Sequence, residues 1–141
     1  MNYIELKGVG DANYTAFDAM VSISDYEENF NVLDGENAGR SVKSGHLIRD
    51  IIGAYFGHKV TFRRSGMNAE AVENFDALWT WLKMHSVDDS VWIRAADNQS
   101  TIEYKAYYTS GSRKLFSAHN GVNYWDEISI NFIPVDPQVR P

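Results

Sequence analysis

One stretch limits what this chain can fold into more than any other. Residues 68–85, NAEAVENFDALWTWLKMH, are the only segment with a sustained helical period. Val72, Phe75, Leu78, Trp79 and Leu82 recur at steps of three and four, which gathers them on one face of a helix. Asn68 is placed to cap the first turn, because its side-chain oxygen can accept from a free backbone N–H. Glu70 and Glu73 lie near the positive end of the helix dipole, and Lys83 and His85 near the negative end. Such an apolar stripe needs a surface to cover. The rest of the chain reads as strand, so that surface is a sheet.

The strand signals are of unequal strength. Residues 17–24 alternate, with Phe17, Ala19, Val21 and Ile23 on one side. Residues 58–63 put Val60 and Phe62 opposite Lys59, Thr61 and Arg63. Residues 91–96 and 101–108 form a hairpin whose second arm turns Ile102, Tyr104, Ala106 and Tyr108 one way. Residues 113–118 lead into a tight turn at His119-Asn120-Gly121. The closing strand, 124–133, points Ile128, Ile130 and Phe132 inward. Proline at 134, 137 and 141 ends regular structure, leaving a tail over 134–141. A weaker strand covers residues 3–6. Residues 46–57 read as a kinked strand or two strands, with a short helix over 47–52 as the competing assignment. Residues 25–45, polar and punctuated by Asp34-Gly35, read as a long loop or an extended, partly exposed hairpin. The fold class is therefore α+β and mainly β: a β-sandwich or split barrel with one flanking helix at about 69–85. A single domain over 1–141 fits this length and the absence of any internal repeat.

Composition removes several function classes. With no cysteine, there is no disulfide, zinc finger or thiol nucleophile. The N-terminal residues lack a secretory pattern, and no run approaches a membrane span, so synthesis and folding in a cytosol are expected. The net charge of −6 argues against a nucleic-acid binder, despite the local cluster Lys59, Arg63 and Arg64.

No catalytic or cofactor constellation emerges. His46, His58, His85 and His119 have no metal spacing, and all read as surface or turn histidines. The DGEN segment at 34–37 lacks the spacing of a calcium loop. There is no phosphate-binding loop, dinucleotide fingerprint or nucleophile elbow. Aromatic residues remain. Phe75, Trp79 and Leu82 are read as core, and Trp81 lies off that stripe. Tyr107, Trp125 and Trp92 fall on faces that look outward. They suit a neighbouring subunit, a second sheet, or a sugar-stacking platform formed by Tyr107 and Trp125.

The order of segments adds a resemblance. VLDGENAGR (32–40), SGHLIRDIIG (44–53), KVTFRR (59–64), the helix, YKAYYTSG (104–111) and YWDEISINFIP (124–134) follow one another as in small tail proteins of siphovirus and prophage tail modules. These in turn resemble the N-terminal ring domain of distal tail proteins, which is related to tail-tube proteins. The resemblance covers residues 21–134 and implies a virion structural protein and not an enzyme. It implies a homo-oligomeric ring, a hexamer, that joins tail tube to tip. Neighbours would be the tube, the hub or tip proteins and the tape measure. DNA would pass through without specific binding, and no cofactor or membrane would be involved. A tail-tube or tail-completion protein is the near alternative. The ring contact is expected at Asp34, Glu36, Asn37, Arg40, Arg49 and Trp125. Asp25, Glu27 and Glu28 are expected to face a lumen, where carboxylates repel phosphates.

Overall fold

The computed structural model describes residues 4–17, 21–35, 39–40 and 45–141. The strands are β1 (Ile4–Gly8), β2 (Ser22–Asp34), β3 (Gly39–Arg40), β4 (Leu47–Ile48), β5 (Ile51–Arg63), β6 (Val91–Asp97), β7 (Ser100–Tyr107), β8 (Gly111–His119) and β9 (Val122–Pro134); the helix is α1 (Ala69–His85). The fold is α+β and mainly β. Seven strands form one open antiparallel sheet in the order β1-β6-β7-β9-β5-β2, with β8 also paired to β9, and β3 with β4 makes a small separate hairpin.

Strand β9 is the pivot. Its residues 128–132 pair with β5 along one edge. Along the other edge, its first part pairs with β8 and its last two residues with β7. The register slips near Glu127, where φ is +58°, a left-handed value uncommon for a residue with a side chain. Further along, β9 exchanges β8 for β7 as its partner at residues 133–134, so β1-β6-β7 forms a second wing beside β2-β5-β9-β8. The Tyr26 hydroxyl on β2 donates to the Ala96 carbonyl on β6 at 3.0 Å, joining the two wings. The sheet stays open, so a closed barrel is not formed.

Between the wings and beneath α1 lies one apolar core. Val60, Phe62, Ile93, Ala106, Ile128 and Phe132 are fully or almost fully buried there. Strands β7 and β9 bury the side chains that their alternation predicts. The helix is capped as its sequence predicts: the Asn68 side chain accepts from the Ala71 N–H at 2.8 Å. Ala71, Phe75, Leu78 and Leu82 are its buried residues, and the last three contribute about 1.5–3 kcal/mol each by removal from water. The stripe is thus centred one position away from the one read in the sequence. Val72 and Trp79 flank it and are half-buried. On the other flank Trp81 packs edge-on against Phe17, with ring centroids 5.8 Å apart. At the C-terminal end, the Tyr108 hydroxyl donates to the Leu82 carbonyl at 2.6 Å.

Residues 25–34, expected as loop or extended hairpin, are strand. They continue β2, which pairs with β5 from Ser22 opposite Arg63 to Asp34 opposite Ile51. The far part of this arm extends beyond the core, with both faces reaching solvent, so its sequence need not alternate. The short helix considered for 47–52 does not form; β4 covers 47–48, residues 49–50 connect, and β5 begins at Ile51. The C-terminal tail lies along β5, with Val139 bridging to Ala54 and the Gln138 side chain bonded to the Phe56 backbone.

Candidate assembly surface

The four strands β8-β9-β5-β2 present two faces and two edges. One face packs on the core and α1. The other carries the alternate residues: Asp25 and Glu27 from β2, Lys59, Thr61 and Arg63 from β5, Ser129 and Asn131 from β9, and Ser112 and Lys114 from β8. These residues are all polar, and the cations among them meet carboxylates. Arg63 contacts Asp126 at 3.2 Å and Glu127 at 3.5 Å; Lys114 reaches Glu127 at 3.3 Å; Glu27 stands opposite Lys59 in the ladder. Asp126 is partly desolvated, yet its pKa is held down by N–H donors from Arg64 and Glu127 and by the Arg63 guanidinium.

Both outer strands are long, and among the described residues each pairs on one side alone: β2 with β5, β8 with β9. No strand among the described residues pairs along their other edges, which leaves those edges available to a further strand. The two edges differ in charge. β2 carries Asp25, Glu27, Glu28 and Asp34 and no cation, whereas β8 carries Arg113 and Lys114 and no carboxylate. Each edge also exposes large apolar side chains. Phe30 is 70% exposed on β2, near Val32 and Leu33, and Phe116 is 68% exposed on β8, near Leu115.

On the core side, two polar groups are held tightly. His58 is 0% exposed, although the sequence suggests a surface or turn histidine. Its Nδ1 lies 2.5 Å from the Tyr104 hydroxyl and its Nε2 3.2 Å from a Glu28 carboxylate oxygen. Burial lowers its pKa below the ordinary value, and the neighbouring Glu28 opposes that shift in part. Burial likewise raises the Tyr104 pKa. A glycine at the preceding residue reads as a turn, but Gly57 lies inside β5, where an added Cβ would come within 2.9 Å of the Phe132 carbonyl oxygen. The signal that finds His58 in the sequence is its parity: it shares a face with Val60 and Phe62. The second group is Arg113, whose guanidinium lies over Trp125 at 4.1 Å and Trp79 at 5.0 Å and bonds Asp76 at 3.1 Å. Burial lowers its pKa against the opposing pull of Asp76.

The residues expected at a ring contact are scattered. Asp34 and Arg49 meet each other, at 2.8 Å, at the far end of the β2–β5 arm. Arg40 belongs to β3, its backbone opposite Leu47. Glu36 and Asn37 lie outside the described residues. Trp125 is no exposed anchor: it is half-buried under Arg113 on the helix side. Of the three lumen candidates, Asp25 and Glu27 share the outer face, while Glu28 turns to the opposite face to reach His58. Tyr107 and Trp125 do not form a sugar platform. Tyr107 is opposite Ile133 and Trp125 opposite Leu115, roughly 25 Å apart along β9 at the usual rise per residue.

No protein-family model and no curated protein matches this sequence. Solved structures do match its fold. A chain in the tail of an empty gene transfer agent (GTA) particle, computed with helical refinement and C6 symmetry, superposes with a TM-score of 0.55 at 12% identity, covering 94% of this chain and 90% of that one. A chain in the virion of a native gene transfer agent particle gives a TM-score of 0.56 at 11% identity, covering 94% and 89%. The fold is shared with chains of gene transfer agent particles. At such identity the likeness concerns the fold.

Proposed function

We propose that this protein is a ring-forming structural subunit of a phage-type tail, six copies to a ring, with the polar outer face of β8-β9-β5-β2 lining a channel for DNA. The observation that carries this is the pair of open, oppositely charged edges on either side of one four-stranded unit. Along the order β8-β9-β5-β2 every neighbour is antiparallel, so β2 runs opposite to β8. Rotation about a ring axis preserves strand direction along that axis. Side-by-side copies therefore bring β2 of one against β8 of the next in antiparallel sense, which continues the sheet and satisfies both open rows of backbone groups. Such a contact is heterologous and closes when the rotation closes. The bulky helix and the second wing lie on the other face, so they fall outside the ring. The inner wall then carries carboxylates beside each of its cations, which leaves little to hold a phosphate backbone.

The sixfold symmetry and helical order of the matched tail favour stacked rings, that is, a tube. The segment order favours the second reading, a single distal ring joining tube to tip, with hub, tip and tape-measure proteins as neighbours. Either role belongs to the virion. Light scattering and negative-stain imaging of the concentrated protein test both. Hexameric rings are expected; tubes support the first reading and isolated discs the second. A monomer at every concentration overturns both.

A further inference from the structure

Resting on that ring reading, we propose that the junction has one specific register and that the ring of Phe30 from each copy fills a cleft on the next. Glu27 stands opposite Lys114 of the neighbouring copy, Glu28 opposite Arg113 and Phe30 opposite Gly111. Directly opposed residues in an antiparallel pair share a face, and all three pairs obey this. Glu27 and Lys114 lie on the outer face, Lys114 being held to Glu127 there. Glu28 reaches His58 on the core side, and Arg113 lies over Trp79 and Trp125 on the helix side, which is the same side. Phe30 points as Glu28 does, with its ring near Phe56, and Gly111 faces Ile130. A slip of one residue sets every pair on opposite faces. A slip of two in one direction leaves no charge pair, and in the other leaves one, Asp25 with Lys114, in place of two.

The third pair explains a void. Beside Gly111, between α1 and β8, is a cleft of about 240 Å³ lined by Trp79, Leu82, Tyr108, Ser110 and Ile130. Gly111 itself offers no side chain to fill it, and an added Cβ there would fall 2.6 Å from Ile130 Cδ1, so the Ile130 side chain would have to shift to admit one. A cross-strand aromatic laid over a glycine fills such a gap from the neighbouring strand. Phe30, exposed in the isolated chain, sits at the register position that does this.

The chain has no cysteine, so a disulfide reports the register directly. Within one molecule β2 and β8 are three strand spacings apart, about 14 Å, too far to bridge. Mild oxidation of the E27C/K114C variant is expected to give a covalent ladder ending at the hexamer, and E27C/S112C, two residues out of register, to give none. Rings in the microscope with the ladder in E27C/S112C instead overturn the register and leave the ring reading standing. No rings and no ladder in either overturn both. For the cleft, Phe30→Ala is expected to leave monomer melting unchanged while raising the concentration needed for assembly about tenfold or more. Unchanged assembly of that variant refutes the Phe30 seat.

Discussion

The buried His58–Tyr104 pair is open to a quantitative test. His58→Ala removes a side chain that is 0% exposed and leaves the Tyr104 hydroxyl, 2.5 Å from Nδ1, without that partner. Loss of a buried side chain with its cavity, added to an unsatisfied hydroxyl, predicts a destabilisation of about 3–5 kcal/mol. Tyr104→Phe keeps the ring and removes the oxygen, so the unpaired group becomes the imidazole nitrogen, at about 1–2 kcal/mol. In the double variant neither unpaired group exists. The two single losses should therefore exceed the double loss by about 1–2 kcal/mol. Urea denaturation of the four proteins at pH 7.5 measures this. For a chain of this size the His58→Ala change corresponds to a melting shift of roughly 10–15 °C. Strictly additive losses would refute the coupling, and a His58→Ala loss below 1 kcal/mol would refute its burial.

Three further outcomes follow from the same packing. Because burial holds the His58 pKa below its unfolded value of 6.5, the unfolded chain takes up the proton first as pH falls; stability should drop from about pH 6.5 downward, and a Tm-versus-pH curve for His58→Ala should be flatter between pH 7.5 and 5. Trp79→Ala should cost about 2–3 kcal/mol, less than a fully buried aromatic, because Trp79 is half-buried and stacks on Arg113; a loss above 4 kcal/mol in urea would show that its contacts are misread. Asn68→Ala should cost about 1 kcal/mol through the orphaned Ala71 N–H, and Asn68→Asp should restore it in the same assay.

What the sequence conveys depends on whether a residue has one buried side. The strands β7 and β9 have one, so alternation exposes their inner residues: Tyr104, Ala106, Ile128, Ile130 and Phe132 are all buried. The turn at Asn120-Gly121 is legible because both residues take left-handed φ, 50° and 76°, as a tight hairpin requires. The far part of β2 has no buried side; its strand character comes from the ladder with β5, a non-local fact. His58 is hidden for a different reason. Its polarity suggests surface, and only Tyr104, 46 residues away, and Glu28 make its burial tolerable. The proposed contact surface is spread over two edges that are distant in sequence, which is why a search for clustered signals settles on the single polar segment at 34–40.

An exposed strand edge is an aggregation hazard that proteins usually guard. Here the guard is selective. Two copies meeting through β2 alone would oppose carboxylates with carboxylates, and two meeting through β8 alone would oppose Arg113 and Lys114 with their own kind. Like charges directly across a ladder are destabilising, so both twofold pairings are disfavoured. The pairing of β2 with β8 gains from the same charges and, being head-to-tail, leaves one open edge at each end of the assembly until it closes. On the ring reading, then, the charge pattern selects against dimers as well as for rings. Raising salt should weaken that selection before it weakens the apolar contact of Phe30, because exposed ion pairs are screened while burial of a ring is not. Cross-linking at 1 M salt should accordingly yield β2–β2 adducts through E27C that are absent at low salt; their absence at both would mean that something other than charge keeps like edges apart.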